Sequence, residues 1–95
     1  MREIKMTIED KVKIFKALAH SVRLRIVEKL AEGEQCVCVI LEMFEIEMST
    51  LSRHLSVLKN AGIVADEKRG KNVYYRLKCP CILNVCDCIE RACSK

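Results

Sequence analysis

No stretch of this 95-residue chain approaches the roughly 20 consecutive apolar residues that a bilayer-spanning helix needs, so no membrane span is expected. The opening MREIKMTIEDKVKIF carries charges throughout and reads as neither a signal peptide nor a transit peptide, which leaves a cytoplasmic location as the expectation. No C-x-x-C occurs among the cysteines, which removes the zinc ribbon and the thioredoxin-type redox site. Histidine is scarce, at two residues, so an imidazole-rich metal centre is not expected. No nucleophile–base constellation is visible, and one domain of this size buries too modest a core for a deep cleft; an enzyme is not expected. Low-complexity tracts, repeats and linkers are missing as well, so residues 1–95 read as one continuous domain.

What is present is the balance of a folded protein, 51% hydrophobic and 32% charged residues with a net charge of +4. The placement of the charge says more than its size. Lys68, Arg69 and Lys71 gather around Gly70, while Glu42, Glu45 and Glu47 lie together elsewhere. Seven cysteines, an odd number, argue against a disulfide framework in a reducing compartment. Soft-metal ligation, thiol redox sensing and plain apolar packing remain open for them.

Thr7 with Asp10 has the form of a capping box, and Ile8, Val12, Phe15 and Ala19 follow at helical spacing. Ser21 can cap a second helix whose stripe is Val22, Ile26, Val27 and Leu30 and which ends at Gly33. Val37, Ile40, Leu41 and Phe44 mark a short third helix. A fourth runs from about Ser49 to Asn60, with Leu51, Leu55 and Leu58 inward and Gly62 closing it. The third and fourth helices, at about residues 36–60, form a helix-turn-helix. The period then changes to two: Ile63 to Glu67 and Val73 to Leu77 flank the turn Arg69-Gly70-Lys71-Asn72, a β-hairpin at about 63–78 with a basic tip. Pro80 can open a last helix at about 80–93 with Ile82, Val85 and Ile89 as its apolar positions. The expected architecture is mainly α with a two-stranded β-hairpin wing, in the order α-α-α-α-β-β-α.

With its leucines inward, the fourth helix turns Ser49, Ser52, Arg53, Ser56 and Asn60 outward, with Thr50 at the margin and no acidic residue among them. Short polar side chains around one arginine let a helix lie close in the major groove of double-stranded DNA, where Arg pairs bidentately with guanine. A solvated face more often carries Glu and Lys. Lys68, Arg69 and Lys71 at the hairpin tip suit phosphate or minor-groove contact, although charged hairpin tips are commonplace.

Three blocks, FKALAHSVRLRIVEKL (Phe15 to Leu30), MSTLSRHLSVLKNAGIV (Met48 to Val64) and KRGKNVYYRL (Lys68 to Leu77), resemble the ArsR/SmtB winged helix-turn-helix repressors in order and spacing. The resemblance implies a homodimeric repressor that binds a palindromic operator and leaves it when an inducer is bound. By position it implies DNA contacts from Ser49, Thr50, Ser52, Arg53 and His54 on the reading helix and from Lys68, Arg69, Lys71 and Tyr74 on the wing. On the helical wheel His54 lies at the edge of the core stripe, where packing or a phosphate contact suits it better than a base contact. His20, between the first two helices, suits capping or packing.

Cys36 and Cys38 head the third helix. Residues two apart on a regular helix differ by about 200° in azimuth, so these thiols converge only if Cys36 lies in an irregular first turn or if metal binding distorts that turn. Soft ions such as arsenite, antimonite, cadmium and lead prefer thiolate sulfur. The resemblance agrees, since a C-x-C here is similar to the thiolate sensor of arsenic- and cadmium-responsive members. Val39 replaces the usual acidic residue after the second cysteine, and no cysteine precedes the first helix, so any third thiolate must come from elsewhere. The alternative is a pair of small buried hydrophobes.

Farther on, Cys79, Cys86 and Cys93 recur every seven residues, as do Cys81 and Cys88. Seven helical residues rise about 10.5 Å, too far for two members of one set to hold one ion. Intersubunit oxidation, a second soft-metal site and interface packing all remain open, because the resemblance places this helix at the dimer interface. The zinc-sensing Asp and His pattern of the family is absent there. A thiol redox regulator of the same fold is the alternative function. A cysteine-rich metal-storage or iron–sulfur protein would leave the serine-rich helix and the basic hairpin unexplained.

Overall fold

The computed structural model of the protein describes residues 6–79 and 82–93. Five helices and three strands follow one another as α1 (Ile8–Leu18), α2 (Ser21–Leu30), β1 (Gln35–Cys36), α3 (Val37–Leu41), α4 (Met48–Asn60), β2 (Val64–Arg69), β3 (Asn72–Leu77) and α5 (Ile82–Cys93). The strand β1 is an addition to the expected order. It pairs antiparallel with β3, so the wing is the larger part of a three-stranded sheet in the order β1-β3-β2. Pro80 and Cys81 lie outside the described residues, as do the side chains of Ile82, Val85, Cys86 and Cys93.

Local chemistry accounts for most boundaries. The Thr7 hydroxyl accepts from the Asp10 amide while the Asp10 carboxylate accepts from the Thr7 amide, a complete capping box for α1. The cap of α2 is His20 rather than Ser21. His20 has the extended backbone that a cap needs, and its Nδ1 accepts from the Val22 amide at 3.1 Å, which leaves Ser21 as the first helical residue. Likewise α4 begins at Met48 after Glu47, so Ser49 stands within its first turn. At the other end Gly62, at φ 81°, allows a Schellman closure: its amide bonds to Lys59 O and that of Ile63 to Leu58 O. That closure turns the chain directly into β2. Gly70, the first of two turn residues at the hairpin tip, has φ 63°, as a II′ turn requires.

One core joins α2, α3, α4 and the start of β2: Ile26, Val27 and Leu30 pack with Ile40, with Leu51, Leu55 and Leu58, and with Ile63 and Val64. Helix α1 contributes only Ala17 and Leu18 in full burial. The stripe Ile8, Val12 and Phe15, which marks α1 in the sequence, faces outward instead, with Ile8 68% and Phe15 58% exposed. On α5, Ile89 is also 56% exposed. Amphipathic periodicity identifies an apolar face without saying which partner covers it.

The three leucines of α4 are almost fully buried, so each contributes roughly 1.5–3 kcal/mol of transfer free energy and together they fix the azimuth of the helix. Leu55→Ala is expected to lower the unfolding free energy by about 2–5 kcal/mol in urea titration. Ser52→Ala, on the exposed face, should change it by less than about 0.5 kcal/mol.

Candidate nucleic-acid interface and thiol pair

Burial of those leucines leaves Ser49, Ser52, Arg53, Ser56 and Asn60 exposed on one side of α4, with Thr50 half-buried at its edge. That is the face expected from the sequence. His54 is directed differently. Its Nδ1 lies 3.2 Å from Arg23 Nη1, and its ring lies 4.4 Å from that of His20, tilted by 53°. Arg23 is itself anchored, donating from Nε to Ala17 O at 2.7 Å. Arg23 can only donate, so His54 Nδ1 accepts, and the same holds for the capping Nδ1 of His20; both rings then carry a proton on Nε2. His54 thus ties the reading helix to the α1–α2 junction, which the sequence alone did not reveal.

Lys68 and Lys71 are exposed at the hairpin tip. Arg69 is folded back. Its Nη1 and Nη2 form a bidentate pair with Glu34 at 2.9 and 2.7 Å, Nη2 also reaches Glu67 at 2.9 Å, and the guanidinium lies 4.8 Å from the Tyr74 ring centroid. These carboxylates push the Arg69 pKa further up, and Arg69 in turn holds Glu67 below the usual carboxylate range. Tyr74 is half-buried in β3, between Cys36 on β1 and Glu67 on β2. Glu34 gives no sign in the sequence, because its partner is set by a strand pairing too short to show a period. At the end of α4, Lys59 reaches Asp66 of β2 at 3.0 Å, which braces the reading helix against the wing.

The two cysteines at the head of α3 converge. Cys36 has an extended backbone, ends β1 and caps α3, so it lies off the regular helix, and the 200° separation does not apply. Its Sγ accepts from the Cys38 amide at 3.4 Å and faces the Cys38 Sγ–H. These donors lower the Cys36 pKa, and donation to Cys36 raises that of Cys38. Cys36 is therefore the readier thiolate. Cys36 is 8% exposed yet stands apart from the main core cluster, whereas Cys38 is exposed. Cys79 and Cys88 are exposed free thiols. Among the described residues no group of three or more His, Cys, Asp or Glu side chains gathers to hold a metal ion. No helix among them is long and apolar enough to cross a membrane.

Residues 20–66 match the family described as "Bacterial regulatory protein, arsR family". The chain is 46% identical over 69 residues to a cadmium resistance transcriptional regulatory protein CadC homolog of Staphylococcus aureus, an alignment covering 72% of this chain and 57% of that protein. It is 43% identical over 67 residues to the arsenical resistance operon repressor of Escherichia coli K12, covering 70% of this chain and 57% of that one. The chain belongs to the ArsR family. The alignments span little more than half the length of these curated relatives. ArsR architecture extends through nearly the whole fold: the solution structure of the homodimeric winged helix-turn-helix DNA-binding domain Mb0332 from Mycobacterium bovis, titled a possible ArsR-family transcriptional regulator, superposes with a TM-score of 0.73 at 28% identity. That match covers 88% of this chain and 85% of the other.

Burial, then the repulsion that a protonated His20 would add and the charge of Arg23, hold the His54 pKa below the ordinary histidine value. A depressed folded-state pKa means that the unfolded chain takes up the proton first. Stability is then intact above the ordinary value of about 6.5 and is lost as pH falls through the folded pKa of His54. Urea midpoints measured across this range should drop on the acid side for the wild type. They should drop less for His54→Asn, whose amide oxygen can still accept from Arg23 without titrating.

Proposed function

We propose that this chain is a dimeric, cytoplasmic DNA-binding repressor of the ArsR type, released from its operator when a thiophilic metal or metalloid is held by Cys36 and Cys38. The observation that carries the proposal is the convergence of two thiols at the cap of α3, in a chain related to proteins named for cadmium and arsenical resistance. Buried packing alone would explain two small apolar residues. It gives no reason for a thiol to be buried outside the main core and aimed at an exposed second thiol.

The donor set suits a soft ion such as arsenite, antimonite, cadmium or lead. Two thiolates on a tetrahedral ion with a metal–sulfur distance of about 2.3 Å stand about 3.8 Å apart, so an ion would replace the thiol–thiol contact and turn both sulfurs toward itself. A further donor would come from solvent, from the C-terminal cysteines or from a second subunit. Turning the Cys36 sulfur onto an ion draws it from the Cys38 amide that it caps, and α3 packs on the same core as α4. Ion and DNA then favour different shapes of one protein, and each weakens the other's binding by the same factor.

On the DNA side, Ser49, Thr50, Ser52 and Arg53 would face the major groove, and Lys68 and Lys71 the phosphates. The exposed Ile8, Val12 and Phe15 of α1 and Ile89 of α5 support pairing of two copies, and two-fold symmetry would match a palindromic operator. A duplex selected from a random-sequence pool by the reduced protein gives the test. Fluorescence anisotropy should show binding at low salt and release by arsenite or cadmium, with Cys36→Ser/Cys38→Ser binding DNA but losing at least about tenfold in ion sensitivity. Absence of DNA binding at low salt would refute the repressor. Undiminished release from the double variant would refute the sensor. Release by a mild oxidant alone would favour the redox regulator of the same fold.

A further inference from the structure

Three features on one side of the sheet belong together. Pairing sets Cys36 opposite Tyr74 and Tyr74 opposite Glu67, and residues directly opposite in a sheet share a face. Two residues along from Glu67 on the same face stands Arg69, and two residues before Cys36 stands Glu34. The Glu34–Arg69 pair therefore closes a bridge over the Cys36–Tyr74 pair, with Arg69 stacked on the Tyr74 ring beneath it. The thiol loop and the wing are fastened twice, once through the main chain and once through this side-chain bridge. From the wing, Asp66 reaches Lys59 of α4.

We infer that Glu34, Arg69 and Tyr74 are positioning residues that carry a displacement of Cys36 into the wing, so that the wing, and not the reading helix alone, responds to the thiol pair. The inference rests on the thiol-sensor reading above and specifies its regulation. Arg69 and Tyr74, which family position would make DNA contacts, are given a coupling role instead. When an ion draws on Cys36 and Cys38, two paths are open to the protein. Cys38 moves with α3, or Cys36 moves with β1 and draws β3 along. The bridge makes the second path costlier to escape, because Glu34 and Arg69 must separate if the loop is to yield alone. A bidentate pair that is stacked and shared with Glu67 stands at the upper end of what exposed ion pairs contribute, worth a few-fold in an equilibrium.

The test uses the full reduced chain, the selected duplex and cadmium. Wild type, Glu34→Gln, Arg69→Gln and Arg69→Lys are compared in three quantities: the salt dependence of ion-free DNA binding, cadmium affinity from thiolate absorbance, and the ratio of DNA affinities without and with saturating cadmium. All three variants should keep the wild-type salt slope and cadmium affinity and lose about threefold of the ratio, Arg69→Lys included, because lysine keeps the charge without the fork. A salt slope shallower by about one for Arg69→Gln, with Arg69→Lys at wild type, would make Arg69 a phosphate contact and overturn the inference. Wild-type ratios in all three variants would overturn it as well. If cadmium leaves wild-type DNA binding unchanged, the sensor reading itself fails and this one falls with it.

Discussion

The last residue of β1 is also the cap of α3, and most of what is distinctive in this molecule depends on that coincidence at Cys36. Its main chain is extended and paired with Tyr74, while its sulfur accepts from both the amide and the thiol of Cys38. Were Cys36 one residue deeper in a regular helix, the two thiols would face apart and the wing would lose its third strand. An extended cap residue allows convergence of the sulfurs and attachment to the sheet at once.

The surrounding interactions differ in strength in a way that suits a switch. Leu51, Leu55 and Leu58 hold α4 by burial worth several kcal/mol in sum, and the Schellman closure at Gly62 fixes where the wing departs. The ties that join α4 and the Glu34–Cys38 segment to the wing, Lys59–Asp66 and Arg69–Glu34, are solvent-exposed ion pairs, far weaker than that burial. The body of the domain is thus firmly set, while the relation of wing to helix can be shifted by the modest coupling free energies typical of binding linkage.

Periodicity made the helices legible, and the change of period at Ile63 made the hairpin so; both signals extend over many residues. Two-residue β1 has no period to read, and without it neither the convergence of Cys36 with Cys38 nor the partner of Glu34 is deducible. Side-chain type misled at the start of α2 and gave no view of the setting of Arg69. Ser21 has the better capping propensity, but backbone geometry gave the cap to His20. Arg69 has the charge for phosphate contact, but two carboxylates and an aromatic face lie within its reach. The stripe on α1 is apolar, as its spacing said, and yet is exposed, because periodicity marks an apolar face and not what covers it. Spacing alone showed that a regular helix could not bring the Cys36 and Cys38 sulfurs together, and that constraint pointed to an irregular start for α3.

Hydrogen exchange on the reduced protein, with and without cadmium and in the absence of DNA, addresses most directly the claim that one thiol pair biases both helix and wing. Exchange should change at Gln35–Cys36 and α3, and equally at Tyr74–Tyr75 in β3, where the main chain is shared. Changes confined to α5, or to Cys38 and α3 with β3 untouched, would contradict it.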